Sequence, residues 1–496
     1  MRHPLQYKPG QRPLFCLAFL LFFNAALPAQ ALRNVPYYSA GTTEVRDKLA
    51  EETAASVRAK FQEPEQFNKE AKKAYQDQRE RMALNVSEEI RQSAIPDDAL
   101  WPFIKMTHAA IVAANPESAG TKIILEIDPT PNAFSIGEGT IIVYSGLLAG
   151  LENEDQLAFV LCHEIAHFLL EHATKGLVRQ VKTFHSKEFK DKVKAVNAQE
   201  YNRSEHIENM FKNVLFNSRY HHRDLERQAD SLAYILFLKT PYAPAQAQRL
   251  MQLFEYMDEP LRDSVLRLEN HFGCAGYTFQ AHWLEKSHGS VWTGAKTLSD
   301  AAEKPMQDSM RTHPDWKNRM QWIEEMSKTT QAGITTTAGV DNSYAPIKFM
   351  SIVESVEAWF NMERYDQALY FAVQYQNVYP DCSYFKEIQA LSLYGLYAHS
   401  KDHTLATVLA ESSPDYPDKY NRFLDFLNNL RLKDLLALQN CSAKALEEGK
   451  TEYGLLAAYY IALAQEDNGN MNSVRREYLA NYRKGRFAEF FRNTKK

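Results

Sequence analysis

The sequence lacks three features that would assign it to a special class of protein. Its 57 lysines and arginines nearly balance 62 aspartates and glutamates, so the basic excess of a nucleic-acid-binding chain is absent. Beyond residue 27, no apolar run approaches the roughly 20 residues that a membrane-spanning helix needs. With 45% hydrophobic and 24% charged residues, the composition is that of ordinary globular domains. We therefore expect no nucleic-acid partner and no transmembrane span in the mature protein.

Cysteine is also scarce, with five residues in the whole chain. Four of them lie outside the apolar N-terminal run, at Cys162, Cys274, Cys382 and Cys441. They are too few and too scattered to form the framework of a small disulfide-rich protein. Cys382 and Cys441 lie in the same C-terminal region and could pair in an oxidising compartment. Two unpaired thiols are the alternative.

The N-terminus has the pattern of an export signal. Basic residues precede the apolar run Leu14–Leu27, and the small-x-small sequence Ala29–Ala31 follows it. This order predicts a secretory signal peptide over residues 1–31 and an exported protein. A membrane anchor is the alternative, but the run is shorter than the roughly 20 residues needed to span a bilayer.

A chain of 496 residues is too long for one core, since domains usually hold about 100–200 residues. Residues from about 44 to 95 are rich in Ala, Glu, Lys, Arg and Gln, which predicts an N-terminal helical segment over residues 32–100. Residues 331–346 are rich in Thr, Gly and Ala without hydrophobic period, and we interpret them as a linker. Residues 347–496 show a helical pattern that approximates tetratricopeptide units, with a plain helical bundle as the alternative. Residues 101–330 remain as a separate domain.

Two β-branched runs in this domain predict strands. They are Ile123–Ile127 and Thr140–Tyr144, and Gly137–Gly139 predicts a turn before the second. The surrounding segments have helical patterns, including one from Glu154 to about His172 and one from Ala245 to Asn270. The fold class expected is therefore mainly α with a small β-sheet.

The clearest chemical motif is His163-Glu164-Ile165-Ala166-His167. Residues four apart share one face of a helix, so both imidazoles can reach a single metal ion. Glu164 projects beside them and can take a proton from a metal-bound water. The alternative is a pair of surface histidines on an amphipathic helix, which the apolar residues on both sides of the motif disfavour.

A catalytic zinc ion needs a third protein ligand and an open position for water. Glu226 and Asp230 share a helix face at the start of an apolar helical run downstream. Glu226 can complete the ligand set, and Asp230 can accept a hydrogen bond from the far nitrogen of a ligand imidazole. Alone, Glu226 would be interpreted as a solvated acid at a helix start.

With these residues, the sequence resembles the HtpX-like and CAAX-prenyl-protease-like family of zinc metallopeptidases from about residue 101 to 326. The export signal and the helical tail make it similar to the periplasmic, BepA-like branch of that family. The resemblance implies a gluzincin-type α+β catalytic domain that holds one zinc ion per chain. It rests on His163–His167, Glu226–Asp230, Asn132–Phe134 with Gly139–Leu148, and His313–Asp315 with Arg319.

The same resemblance implies roles for residues outside the ligand set. Asn132, Ala133 and Phe134 would belong to an edge strand that holds an extended substrate by added-strand hydrogen bonds. An ordinary β-hairpin is the alternative. His313 would stabilise the oxyanion or occupy the open metal position, and Arg319 would orient it or pair with a carboxylate. A turn leading into a helix is the alternative for both.

The spacing from Glu226 to His313 is long for the family, which indicates an insertion around residues 258–303. His271, His282 and His288 lie in this insertion and are rivals for the role of His313.

For function, the resemblance implies a zinc endopeptidase of the cell envelope that acts on unfolded or stalled exported proteins. It also implies an outer-membrane assembly role, with the C-terminal helices as the contact to that machinery. The alternative is a chaperone or adaptor with a latent metal site, because arrays of helical repeats bind partner peptides on concave surfaces.

Overall fold

The computed structural model describes residues 43–494, apart from several internal stretches. The predicted signal peptide, most of the predicted linker and His313 lie outside the described residues. No helix within the described ranges is long and apolar enough to cross a membrane. The stretches left out are 97–99, 198–222, 255–256, 258–260, 262–263, 287–315, 330–343, 415, 445 and 447–450.

The N-terminal segment forms two packed helices, α1 (Thr43–Lys60) and α2 (Lys69–Ser93). Both are rich in strong helix formers, and Asn68 caps α2 by accepting a hydrogen bond from the Ala71 amide at 2.8 Å. Their buried faces, which include Tyr75, belong to the same core as the sheet that follows. The N-terminal helices thus share one hydrophobic core with the sheet.

The sheet has three strands in the order β1-β3-β2: β1 (Lys122–Glu126), β2 (Ala133–Ser135) and β3 (Thr140–Tyr144). β1 pairs with β3 in parallel, and β2 pairs with β3 antiparallel. The turn between β2 and β3 needs glycine, since Gly137 and Gly139 have φ values of 101° and 123°. β2 is therefore at the edge of this sheet.

Helices surround the sheet. One of them, α5 (Glu154–Leu169), crosses the core, and its side chains from Gln156 to Ala166 are buried. Asn153 caps α5 by accepting from the Gln156 amide at 3.0 Å. The helices of this region are α3 (Leu100–Ala114), α4 (Ser145–Gly150), α5 (Glu154–Leu169), α6 (His172–Phe184), α7 (Lys187–Asn197), α8 (223–238), α9 (Ala245–Leu253) and α10 (Trp316–Thr329).

Two predicted helices differ from those observed. The predicted helix to His172 is two helices, because Glu171 adopts a left-handed conformation with φ 56° between α5 and α6. Helix was predicted between Ala245 and Asn270; α9 ends at Leu253, and among the described residues that follow, Leu268–Asn270 form a 3-10 turn.

The regular structure of the C-terminal region is helical within its described residues, and many of its helices pack on one another. The first, α11 (Ala345–Asn361), also packs on α4, where Tyr344 donates to the Leu148 carbonyl at 2.8 Å. The helices are α11 (Ala345–Asn361), α12 (Tyr365–Val378), α13 (Ser383–Lys401), α14 (Asp418–Asn428), α15 (Leu432–Lys444), α16 (Glu452–Ala464), α17 (Asn468–Asn481) and α18 (Ala488–Asn493).

Residues 264–286 of the predicted insertion pack onto these C-terminal helices. Phe272 and Trp283 are buried against Phe426, with ring centroids 4.6 and 6.1 Å from it. A disulfide between Cys274 and Cys441 joins the two regions.

The sequence left open whether Cys382 and Cys441 pair or are both unpaired thiols. The structure shows neither arrangement, because Cys441 pairs with Cys274 and Cys382 is a free, buried thiol. The fold class, mainly α with a small β-sheet, is confirmed.

Candidate metal centre

The centre is built on α5, whose regular turn brings His163 and His167 to one face. Their Nε2 atoms lie 3.0 Å apart, and the two rings are 4.7 Å apart between centroids. His163 is 4% exposed, so its orientation is set by the surrounding core and not by solvent. Two imidazole nitrogens thus converge on one point inside the domain.

Glu226 approaches the same point from α8. Its Oε2 lies 3.4 Å from His163 Nε2, and its Oε1 lies 3.5 Å from His167 Nε2. Tetrahedral coordination with metal–ligand bonds of about 2.0–2.1 Å has edges of about 3.3–3.4 Å between ligand atoms. The two contacts of Glu226, each made by a different carboxylate oxygen, are close to these edges, and the 3.0 Å separation of the imidazole nitrogens is slightly shorter. The three residues therefore fit a tetrahedral metal ion.

A second carboxylate holds the far side of the His163 ring. Asp230, one turn after Glu226 on α8, places Oδ1 3.0 Å from His163 Nδ1. Arg319 on α10 donates to both oxygens of Asp230 and lies 3.6 Å from Glu226. Asp230 and Arg319 were predicted as supporting residues, and the structure places both directly behind the ligands.

The electrostatics of the centre favour a cation. Burial and the charge of Arg319 lower the pKa of His163, but hydrogen bonds to Asp230 and Glu226 outweigh them and raise the pKa to about 9. Burial alone would raise the pKa of Asp230, but Arg319 outweighs it and keeps that pKa below its ordinary value. Carboxylates that stabilise a proton on His163 are equally suited to a divalent metal ion at this point.

Sequence reasoning missed a residue of this centre, His172. Its Nδ1 lies 2.9 Å from the Nδ1 of His167, on the side of that ring opposite Glu226. Burial lowers the pKa of His172 to about 4, which favours a neutral ring that can accept a hydrogen bond. When His167 Nε2 binds a metal, His167 Nδ1 carries a proton and His172 accepts its hydrogen bond.

The sequence contained no reliable signal for this contact. Five residues of continuous helix rotate a side chain by about 500°, which would turn His172 away from His167. The left-handed Glu171 interrupts the helix and brings His172 back.

Glu164 lies between the ligands and the sheet edge. It is 2% exposed, and its Oε2 accepts a hydrogen bond from the Ser135 amide of β2 at 2.9 Å. The amide of Tyr144 donates to the Asn132 carbonyl, and the amide of Ile136 donates to the Thr140 carbonyl. Since residues of an antiparallel strand alternate in direction, Ala133 and Ser135 present their backbone groups away from β3.

The residues predicted for the edge strand are therefore in place. Ala133 and Phe134 belong to β2, and Asn132 immediately precedes it. Of the rival histidines, His271 accepts a hydrogen bond through its carbonyl from Gln389, and His282 meets the Trp283 ring edge-on. Both are thus engaged with the C-terminal helices or the segment packed on them.

Two histidines and a glutamate around one point, with a second glutamate beside them, define a metallopeptidase-type site on an α+β domain. Comparison with known proteins points to the same class. Residues 104–327 match the model of Peptidase family M48, so this part of the chain is similar to the metallopeptidase domains of that family.

Curated relatives match over short stretches. The chain is 46% identical over 50 residues to "Mitochondrial metalloendopeptidase OMA1" of Schizosaccharomyces pombe, covering 10% of this chain and 15% of the relative. It is 36% identical over 83 residues to "Metalloendopeptidase OMA1, mitochondrial" of Bos taurus, covering 16% of each. It is 29% identical over 92 residues to "Putative beta-barrel assembly-enhancing protease" of Vibrio cholerae, covering 18% of this chain and 19% of the relative. The chain thus aligns with less than a fifth of the length of each relative.

Proposed function

We propose that this protein is a metalloendopeptidase that binds one zinc ion per chain through His163, His167 and Glu226. The observation that carries the proposal is the convergence of these three ligand atoms beside Glu164, at an edge strand. Histidine and carboxylate ligands suit several divalent metals, and a tetrahedral set of two histidines and one glutamate is typical of catalytic zinc.

In this proposal, bound zinc would supply Lewis acidity for the scissile carbonyl and lower the pKa of water toward about 7. Glu164 takes the proton of the attacking water and delivers it to the leaving amine. The hydrogen bond from the Ser135 amide holds the Glu164 carboxylate in position for both proton transfers. The outward backbone groups of β2 align an extended chain by added-strand hydrogen bonds. His313 keeps its proposed role at the oxyanion or the open metal position.

The substrates proposed are unfolded or stalled exported proteins of the cell envelope, with a periplasmic location and chaperone-like activity in outer-membrane assembly. The apolar run Leu14–Leu27 and the name of the Vibrio cholerae relative support this location. The mitochondrial names of other relatives favour a different compartment. Residues 347–496, as a tetratricopeptide-like domain, would recruit substrates or the assembly machinery.

A chaperone or adaptor with a latent metal site is the second candidate, because the packed C-terminal helices are large enough to bind partners on their own. A buried Glu164 next to the ligands favours the enzyme, since a scaffold has no use for a general base.

Metal content and casein cleavage of the wild type and Glu164→Gln would separate the two. About one zinc per chain in both, with cleavage only by the wild type, supports the peptidase. Zinc in both without cleavage in either favours the latent site.

A further inference from the structure

A groove open to solvent runs along α6, the helix that begins at His172. Its volume is about 350 Å³, which lies in the range of about 300–1,000 Å³ typical of ligand sites. The described residues that line the groove are three cations, two threonines and a valine, with no acid among them: Lys175, Arg179, Lys182, Thr174, Thr183 and Val178. The groove is therefore a basic site on the surface of the protein.

The protein itself does not neutralise these cations. Arg179 and Lys182 are exposed, and neither forms an ion pair or a side-chain hydrogen bond with a described residue. Lys175 donates one hydrogen bond, to the Leu170 carbonyl at 2.8 Å, and its ammonium group has two further protons to donate. No acid lies on α6, although the whole chain has a net charge of −5. A local surplus of positive charge on an acidic protein attracts an anionic partner.

The groove follows the face of α6 that meets the metal centre. His172 contacts the ligand His167 across 2.9 Å. Residues seven apart lie within about 20° of each other around a helix, so Arg179 projects from the same face two turns further on. Gly176 lies between them on this face, and among the described residues nothing beyond its own stretch of helix is within 4 Å of the position that a Cβ atom would occupy. The face thus has open space between the metal centre and the cations.

The edge strand leads to the same place. The turn after β2 packs on the start of α6, because a Cβ atom on Gly137 would lie 2.5 Å from the Cβ of Ala173. Ser135, two residues before this turn, donates its amide to Glu164. From Ser135 through Ala173 to the cations, the path is about 16–20 Å at 3.4 Å per strand residue and 1.5 Å per helix residue. An extended polypeptide on β2 would therefore reach the cations about five or six residues from the bond at Glu164.

We propose that this groove binds an acidic stretch of an extended polypeptide substrate, with Arg179 and Lys182 pairing with two of its side-chain carboxylates. The planar guanidinium of Arg179 can hold one carboxylate by two parallel hydrogen bonds. Lys175 extends the positive charge toward the metal centre. This inference rests on the proposed peptidase function and names the class of substrate that the same site prefers.

The packing of α6 favours a polypeptide over a membrane surface as the anionic partner. A helix that lies in a membrane interface buries its apolar face among the lipids. The apolar side chains of α6 face the protein's own core instead, since Val181 is 3% exposed and Leu177 and Val178 pack against the same core. Only the charges are left for a lipid headgroup. The competing account is a solvated basic face with no specific partner.

The test measures binding, so it does not depend on turnover. Capped peptides of Ser, Thr and Val, with a Glu-Glu or a Gln-Gln pair at the centre, would carry a rhodamine label. They would be titrated against zinc-loaded Glu164→Gln by fluorescence anisotropy. We expect the Glu-Glu peptide to bind about three- to tenfold more tightly than the Gln-Gln peptide at low salt, as two exposed ion pairs would give. The difference should disappear at about 0.5 M salt, which screens exposed charges.

A double variant on the same background tests the two cations. Arg179→Gln with Lys182→Gln removes both charges and keeps polar side chains of similar length, so the Glu-Glu and Gln-Gln peptides should bind equally. Arg422→Gln with Lys433→Gln is the matched control. These two cations are also exposed and unpaired among the described residues, but they lie on α14 and α15. The control should leave the preference for Glu-Glu unchanged.

Gly176→Leu tests the path along α6. The leucine side chain would fill the open space on that face and should weaken the binding of both peptides severalfold. Leucine favours a helix more than glycine does, so the melting temperature should not fall. Weaker binding by a variant of undiminished stability is then assigned to the blocked path. Unchanged binding would place the peptide elsewhere and contradict the inference.

The wild type adds a positional measurement. Cleavage of the Glu-Glu peptide, mapped by mass spectrometry, should occur about five or six residues from the pair and on one side of it. The Gln-Gln peptide should be cut without that preference. Cleavage at the same positions in both peptides would contradict the assigned register.

Equal affinity for the Glu-Glu and Gln-Gln peptides would overturn the inference, as would a Glu-Glu preference that survives the loss of both cations. Vesicles that contain phosphatidylglycerol test the other class of partner. If they bind the wild type and not the double variant, while the peptides show no preference, the groove meets a membrane instead. Casein cleavage by the wild type reports separately on the peptidase. Cleavage without a Glu-Glu preference removes only the groove, and a Glu-Glu preference without cleavage removes only the peptidase.

Discussion

Arg319 holds Asp230 in a two-pronged contact, with Nε donating to Oδ2 and Nη2 donating to Oδ1, both at 2.8 Å. Asp230 Oδ1 in turn lies 3.0 Å from His163 Nδ1. A guanidinium on α10 thus fixes the carboxylate that fixes the imidazole, and all three groups are buried. The orientation of a metal ligand on α5 depends in this way on a helix that is far from it in sequence.

Arg319→Lys should weaken zinc binding by about 10- to 100-fold, the usual cost of disturbing a group behind a metal ligand. A lysine ammonium is a point charge and cannot hold both oxygens of Asp230 in one plane. Zinc affinity would be measured by competition with a fluorescent chelator. Arg249→Lys is the matched control, because Arg249 makes the same two-pronged contact with Glu152 at the surface. Unchanged zinc affinity in Arg319→Lys would show that Asp230 does not need both hydrogen bonds from Arg319 to orient His163.

Glu164→Gln should retain one zinc ion and lose cleavage of casein by at least about 100-fold. A glutamine oxygen can still accept the hydrogen bond from Ser135, so the geometry is kept while the base is removed. Metal content and cleavage rate would be measured on the same preparations. Glu117→Gln, which alters a surface pair with Lys239, serves as the control. Cleavage by Glu164→Gln at the wild-type rate would assign the general base elsewhere.

His172→Phe should lower zinc affinity by about tenfold or more, because the ring is retained but His167 Nδ1 loses its acceptor. The tautomer of His167 that binds a metal through Nε2 needs such an acceptor. Isothermal titration with zinc would measure the effect. His185→Phe, on the same helical segment but beside Glu70, should bind zinc as the wild type does. Equal affinities in the two variants would mean that the His172 contact is only packing.

Much of this centre follows from local sequence rules. Helical period alone places His163 and His167 on one face, and the two β-branched runs correspond to β1 and β3. Glu226 could be assigned only in combination with His163 and His167, since an acid at a helix start is common. Sequence rules therefore worked where the relevant contacts lie within one helix or one strand.

The remaining features depend on contacts that no local pattern records. His172 reaches His167 only because the chain breaks its helix at Glu171. Cys274 meets Cys441 because Phe272 and Trp283 dock their segment on the C-terminal helices, although the two cysteines are separated by 167 positions. Tertiary packing decides both features.

Stability should fall as pH rises through neutrality because of Glu126, which is fully buried at the end of β1. Burial, with the nearby Glu89 carboxylate, raises the pKa of Glu126 to about 8. The uncharged acid is therefore favoured in the folded protein. The contribution of Glu126 to the free energy of unfolding is fully present below its ordinary pKa of about 4.3. It is lost progressively as the pH rises toward 8.

Glu126→Gln should flatten this profile and stabilise the protein at pH 8 by about 1–3 kcal/mol, because the amide carries no charge to bury. Urea denaturation between pH 6 and pH 9 would measure it, with the exposed Glu52→Gln as the control. If the unfolding free energy of Glu126→Gln still falls with rising pH as in the wild type, the pH dependence belongs to another group.

The Cys274–Cys441 disulfide should stabilise the attachment of residues 264–286 to the C-terminal helices. It closes a loop with a sequence separation of 167, and removing a disulfide commonly costs about 2–4 kcal/mol through the added freedom of the unfolded chain. The double variant Cys274→Ser, Cys441→Ser should therefore melt several degrees below the wild type. Reductant should lower the melting temperature of the wild type by a similar amount and leave the double variant unchanged. Zinc affinity should not change in either case, because none of the metal ligands contacts this segment among the described residues. A double variant as stable as the wild type would show that the aromatic contacts of Phe272 and Trp283 hold the segment without the covalent link.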